Sequence, residues 1–571
     1  MTGKREPARD GRSRVRDGLR RRGGQTEIQR AGSKPGAPQT GRAAQGRITP
    51  GPSPRGTTRR RGLARLGRGA FLALLGVATT VFLVRGARAR ARQLGGRLAA
   101  VAGRAGRPLS APARRARESR LAAGAGRVTE VLRNPRGALG AAVRAGPPRP
   151  FRPSAFRSPL RGPWLTAVLG VVLLGGLTVM AVTGLLSYAS YDPRLGSNDQ
   201  TPGAHLLKFY LFSWPTGPDW LYRVNQGVHV TLGLALLPVV LAKLWSVLPR
   251  LFAWPPVRSA AQVLERLSLI MVVGGILFEI VTGLLDIQNF YVFPFSFYTA
   301  HLYGAWVFIA GLVVHVIIKF GRVRTALRSR SLRAELRIPL ARTEPEAAPE
   351  TAAPEFGDPE SLRPVNPARP TISRRGLLTA VAGASLTLAG LAAGQSVGGW
   401  ARWTALFGPR GLSAAQSGAL PVNRTAAVIG LTDADVGPDY RLVLVGRRQV
   451  SLTREQVAAL PQRSAELPIA CVEGWSVAAL WSGVRLADLA RLTGIPDPGG
   501  AVVESIERHG SFRSASLSAA QVADPQALLA LRVNGADLSR DHGYPARTII
   551  PAAPGVHNTK WVSMITFLEP A

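Results

Sequence analysis

Four long apolar stretches decide most of what this chain can become. They run approximately over residues 164–188, 228–248, 263–285 and 300–320, and each reaches the ~20 residues that an α-helix needs to cross the hydrocarbon core of a bilayer. In that medium every backbone N–H and C=O must be paired inside its own segment, so helices are the expected form. A fifth stretch, residues 376–397, is less hydrophobic and rich in Ala and Gly. A shorter run at residues 70–84, flanked by arginines, reads as interfacial and not as a crossing.

Positive charge near the ends of the stretches sets an orientation. Arg152, Arg157 and Arg161 precede the first, Arg250, Arg258 and Arg266 lie between the second and third, and Lys319, Arg322, Arg324 and Arg328 follow the fourth. The loop at 189–227 carries Asp192, Asp199 and Asp219 instead. The expectation is a multi-pass protein of a bacterial cell membrane. Its amino terminus is cytoplasmic, and the fifth helix carries the carboxy-terminal domain outside.

Charge divides the chain in the same way. Residues 1–162 hold 38 Lys+Arg against 6 Asp+Glu, whereas residues 401–571 hold 16 against 14. The formal net charge of +40 therefore describes a tail. That tail is Arg-rich with little aromatic content, which points to a disordered cytoplasmic segment attracted to anionic lipid, with no specific nucleic-acid partner. The expected organisation is a tail at 1–162, a four-helix membrane unit at 163–322, a cytoplasmic linker at 323–372, an anchoring helix at 373–400 and a folded domain at 401–571. The fold class is thus an α-helical membrane bundle followed by an α+β domain.

The fifth helix is prefaced by Ser373-Arg374-Arg375-Gly376-Leu377-Leu378. This resembles the twin-arginine signal of bacterial export, a route that moves folded, cofactor-loaded domains. The alternative is an ordinary positive-inside anchor.

Three of the seven histidines lie in apolar stretches: His229, His301 and His315. Ionisable residues there are costly and are functional candidates. His301 and His315 are 14 residues apart, within about 40° of one another on one helix face and ~21 Å apart along the axis. That spacing resembles membrane cytochromes b, which stack two haems. The second helix places His229 level with His301 but Lys243 where an inner partner is needed. One outer haem b on His229 and His301 is expected. An inner haem on His315 is the weaker alternative to a histidine hydrogen-bonded within the bundle. Glu279, in the third helix, is read as an acceptor for a ligating histidine, a proton group for a quinone, or a paired carboxylate.

Beyond Trp400 the pattern changes to short runs broken by Gly and Pro. Strands are expected at 440–446, 450–453, 501–505, 531–533, 548–551 and 561–568, with helical turns at 455–460, 477–481 and 486–492. No nucleotide-binding glycine fingerprint and no zinc-type Cys/His spacing is present.

The single cysteine of the chain lies in Ile469-Ala470-Cys471-Val472-Glu473-Gly474-Trp475, followed by Trp481-Ser482-Gly483-Val484. His542-Gly543-Tyr544-Pro545-Ala546-Arg547 and Lys560-Trp561 come after it. Together these segments resemble the sulfite oxidase-type molybdopterin domain, over about residues 421–570. The resemblance implies a molybdenum–molybdopterin cofactor with Cys471 as thiolate ligand. His542, Arg547 and Lys560, and less securely Asn423, would contact the pterin and its phosphate. Arg508 and His509 are substrate-side candidates, and His557 reads as a solvated loop residue.

The Cys segment lacks the arginines that sulfite-oxidising members place after the Cys, which favours a neutral or zwitterionic substrate. The architecture resembles bacterial exported sulfoxide reductases joined to a membrane haem partner. It implies electron exchange between a quinone pool and an extracytoplasmic molybdenum centre, with reduction of a sulfoxide or N-oxide. Oxidation of a sulfur substrate is one alternative, and a non-catalytic membrane binding or assembly protein is another.

Overall fold

A computed structural model describes residues 155–198, 210–252, 259–347, 362–364, 366–406, 420–422, 424–510 and 512–570. Residues 1–154 of the expected tail, with the run at 70–84, lie outside the described residues, as does Asn423.

Among the described residues, five helices are long and apolar enough to cross a membrane: α1 (Pro163–Tyr191), α2 (Leu221–Leu251), α3 (Ala260–Ile287), α4 (Phe297–Arg328) and α5 (Arg374–Val397). Their outward faces keep large apolar side chains uncovered, among them Ile270, Ile317 and Leu386. In water such faces would be unstable; against lipid they are the expected surface. α1 packs on α2 and also touches α4, α3 packs on α4, and α5 lies along α2. α4 continues to Arg328, past the boundary expected at residue 322.

Helix starts are capped. Ser259, Ser296 and Ser373 each accept a hydrogen bond from a backbone N–H of the first turn, satisfying donors that have no partner inside the helix. α1 begins at Pro163, and its free N–H groups at Trp164 and Leu165 donate to the buried carboxylate of Glu346, at 3.0 and 3.4 Å. Part of the expected linker thus folds back onto the bundle. Arg374 anchors the same end: it is buried, pairs with Glu335 at 3.1 Å, and donates to the carbonyls of Pro159 and Glu344.

The carboxy-terminal domain holds two five-stranded sheets. One contains β1 (Leu442–Val445), β2 (Val450–Leu452), β5 (Gly500–Ser505), β6 (Ser514–Ser518) and β10 (Val562–Leu568), in the order β2-β1-β10-β5-β6 with β1 and β10 parallel. The other contains β3 (Arg463–Ala470), β4 (Ser476–Arg485), β7 (Leu528–Val533), β8 (Ala536–Asp537) and β9 (Arg547–Ile549). Thr453 caps the turn at Arg454–Ala459 in a reciprocal capping box with Gln456. The helical turn expected at 477–481 is instead part of β4. Its helix-favouring Ala and Leu residues are overruled by pairing with β3 on one side and β7 on the other.

Domain and bundle meet at the ends of α1, α2 and α5 away from Arg374. Asn198 pairs with the backbone of Ser516 in both directions, at 2.9 Å each, in place of a neighbouring strand for β6. The indole of Trp214 donates to the carbonyl of Ala552 at 2.7 Å.

Candidate functional site

Cys471 sits at the tip of the β3–β4 hairpin. Ala470 and Ser476 are its last paired residues, so Cys471 to Trp475 form the connection, closed by Cys471 N–H to the Trp475 carbonyl and Gly474 N–H to the Cys471 carbonyl, both 3.0 Å. The turn needs glycine at 474, where φ is +88° and a Cβ would come within 2.8 Å of the Val230 side chain on α2.

The tip enters the end of the bundle, and three successive carbonyls are held there. Gln226 on α2 donates to Val472 O at 2.6 Å; Gln395 and Ser396 on α5 donate to Glu473 O at 3.3 Å and Gly474 O at 2.5 Å. Residues 472–474 thus dock the domain on the bundle through their backbone.

The Cys471 side lines a cavity with Arg424, Trp475, Trp481, Glu507, Phe512, His542, Arg547, Asn558, Thr559 and Lys560. His542, Arg547 and Lys560 are therefore brought together with Cys471. Arg508 and His509 are not: β5 ends at Ser505, the chain turns outward, and both are exposed, while Glu507 and Phe512 on either side of them line the cavity. His557 is not solvated. It is buried, its ring edge-on to Tyr191 at 5.8 Å, with neither ring nitrogen hydrogen-bonded, and burial holds its pKa down to about 4.

Each cation in the cavity is fixed by its own partners. Arg547 donates to the carbonyls of His542 and Asn558, both at 3.1 Å, with its guanidinium 5.4 Å from the Trp481 ring. Lys560 donates to Arg424 O and Asp541 O at 2.6 and 2.9 Å, and Arg424 pairs with Glu507. Burial lowers Arg547 to about 10; burial and the nearby Arg547 lower Lys560 to about 7. Burial, together with Glu473, pushes the Cys471 thiol well up, so a metal would have to displace its proton.

Four buried groups lining the cavity have no hydrogen-bond partner: Trp475 Nε1, Arg547 Nε, Asn558 Nδ2 and Thr559 Oγ1. Orphaned polar groups are expensive inside a protein unless a ligand completes them. One soft sulfur ligand facing a set of polar atoms rich in N–H donors fits a metal carried by a large polar, phosphorylated pterin.

Residues 430–571 match the family described as "Oxidoreductase molybdopterin binding domain". The carboxy-terminal domain is a molybdopterin-binding oxidoreductase domain of sulfite oxidase type. It is similar to sulfite oxidase of Arabidopsis thaliana, 35% identical over 17% of this chain and 29% of the relative. It is also similar to mitochondrial sulfite oxidase of Drosophila melanogaster, 33% identical over 23% of this chain and 27% of that protein. An uncharacterized oxidoreductase of Bacillus subtilis is 31% identical over 21% of this chain and 59% of its own length. The chain thus spans less than a third of the sulfite oxidases it matches. The molybdopterin-binding domain accounts for Cys471 and its cavity; the bundle holds a second one.

That second cavity is apolar and lined by His229, Glu279, His301 and, towards the molybdopterin domain, Gln226 and Val472. His229 Nδ1 lies 2.9 Å from Thr183 Oγ1 on α1, and His301 Nδ1 lies 2.9 Å from Thr282 Oγ1 on α3. Each threonine hydroxyl already donates its one hydrogen to a carbonyl of its own helix, at Val179 and Phe278. Where the hydroxyl keeps that bond, the imidazole donates from Nδ1 and Nε2 holds the lone pair. Glu279 Oε2 is 3.0 Å from His301 Nδ1.

This arrangement was legible in a repeat that the sequence reading passed over, Val182-Thr183-Gly184-Leu185-Leu186 and Val281-Thr282-Gly283-Leu284-Leu285. Each Thr holds a histidine of the next helix, and each Gly lies beside that ring: a Cβ would be 3.4 Å from His229 Cε1 or 3.8 Å from His301 Cε1. His315 does not line this cavity, and Lys243 donates to Thr166 O.

Proposed function

We propose that this chain is a membrane-anchored molybdopterin oxidoreductase that passes electrons between a bundle haem and an extracytoplasmic molybdenum centre, reducing a sulfoxide or N-oxide. His229 and His301 would hold one haem b by their Nε2 atoms, and Cys471 would ligate the molybdenum. His315 would hold none. Electrons would come from the quinone pool through the bundle.

The observation that carries this reading is a shared wall. Cys471 faces one cavity, and Val472, the next residue, faces the other. One peptide unit separates the two chambers, and Gln226 fixes it from the bundle side.

The bound cofactor supplies oxygen-atom exchange; the protein supplies binding, position and charge. Reduction of a sulfoxide takes two electrons and two protons and yields a sulfide and water. Arg547, Lys560 and His542 bind the polar cofactor, and Trp475, Trp481 and Phe512 narrow the space above Cys471. With Arg547, Lys560 and His542 given to the cofactor and Arg424 paired with Glu507, the remaining aromatic wall favours a neutral substrate. Oxidation of a sulfur substrate is the second reading, supported by similarity to proteins named sulfite oxidase.

Full-length protein should contain molybdenum and haem b in equal amounts. Dithionite-reduced protein mixed with sulfoxides or N-oxides should show reoxidation of the haem band. Reduction of oxidised haem by sulfite instead would reverse the direction. Absence of haem would remove the electron path altogether.

A further inference from the structure

At the end of the bundle away from the molybdopterin domain lies a third cavity, formed by the segment before α1, the segment before α5 and Trp245 on α2. Arg157, Arg161, Arg369, Phe156, Leu160 and Trp245 are among its lining. Among the described residues, no acidic side chain lines it.

Arg161 is its central feature. The side chain is 5% exposed, with its guanidinium carbon 4.7 Å from the Phe156 ring centroid and 4.5 Å from that of Trp245. Nε and Nη1 are buried without a hydrogen-bond partner. The aromatic rings hold the cation in place but offer its N–H groups no acceptor. The nearest other buried arginine, Arg374, shows the contrast, with Glu335 and two carbonyls around it. A buried guanidinium with unmet donors is costly, and an acceptor entering the cavity would relieve that cost.

The charge and shape select the acceptor. A phosphate monoanion suits the planar fork of arginine, and exposed Arg157 and Arg369 at the rim add two further positive charges. The remaining wall is apolar, with Phe156, Pro159, Leu160, Trp245 and Pro370, and it lies where helices enter the apolar zone. We propose that this cavity is a specific site for the phosphate of an anionic phospholipid, its headgroup on Arg161 and the start of its acyl chains along the apolar wall.

The test is native mass spectrometry of the full-length protein released from vesicles of phosphatidylcholine with and without phosphatidylglycerol. Wild type should retain one phosphatidylglycerol in preference to phosphatidylcholine. Arg161→Gln should cut that retention roughly tenfold or more, and Arg369→Ala, an exposed change, should reduce it less. Unchanged haem and molybdenum contents in Arg161→Gln would show that the variant is folded; were it not, the Arg369→Ala series still reads the site. A parallel titration of detergent-solubilised protein with inorganic phosphate separates the sources. Phosphate binding that depends on Arg161, without lipid retention, would keep the anion site and overturn the lipid. Retention indifferent to both substitutions, with no phosphate binding, would overturn the proposal entirely.

Discussion

Thr183 and Thr282 are minor residues by size, yet each holds a histidine by its Nδ1 atom, with Glu279 beside that of His301 as well. Partners of this kind tune a metal through its ligand. If His229 and His301 hold a haem b as proposed, Thr183→Val or Thr282→Val should leave it bound but raise its midpoint potential in a redox titration, since a ligand without that acceptor is a weaker donor. An unchanged potential in both would deny them that role. His557 carries a different consequence. Its folded pKa of about 4 lies below its usual 6.5, so the unfolded chain binds the extra proton first. Stability is full above pH 6.5 and falls as pH drops towards 4, by up to about 3 kcal/mol at ~1.4 kcal/mol per unit. Thermal unfolding of His557→Phe should lose this part of the acid sensitivity, and an identical pH profile would exclude His557 as its source. Burial of His557 was not legible in the sequence, because a polar residue beside Gly and Pro reads as loop until its tertiary neighbours are known.

The β3–β4 hairpin and helices α2 and α5 behave as one device. Gln226→Leu would remove the hydrogen bond to the carbonyl of Val472 while leaving both cofactor sites their own ligands. Stopped-flow reoxidation of the haem by substrate should slow by about tenfold, the scale on which a small displacement of reacting groups matters, with metal and haem contents unaltered. A normal rate would place the electron path elsewhere. Here the sequence was both informative and misleading. The cysteine motif was plain, since few residues can act as a soft metal ligand. The strand after it was read as helix, because Val477 to Trp481 obey local preference only until β3 and β7 flank them. The absent arginines were read as a statement about substrate, and what the sequence did not show is that the carbonyls at those positions dock on the bundle.

Over the whole molecule, the five apolar helices were the most legible feature, since each carries its signal within its own twenty residues. How the expected linker closes the end of the bundle away from the molybdopterin domain was hidden, for it depends on Glu335, Glu346 and Arg374 meeting from separate segments. Arg374→Gln should be destabilising, by about 1–3 kcal/mol, because the buried Glu335 carboxylate keeps Arg330 but loses its second cation. The loss would appear as a lower unfolding temperature for the detergent-solubilised protein, and an unchanged temperature would mean that the pair is dispensable.

Arg374 is also the first arginine of the pair that resembles an export signal. A signal must be reachable by the machinery that reads it, and in the finished molecule this side chain is enclosed. If the pair is read during export, reading and enclosure belong to different times. The four-helix unit would then wait with Glu335 open to solvent, and the fifth helix would lock into it only after its cargo has crossed. One ion pair would mark the end of biogenesis, and a label reactive towards arginine could distinguish molecules still in transit from those that have arrived.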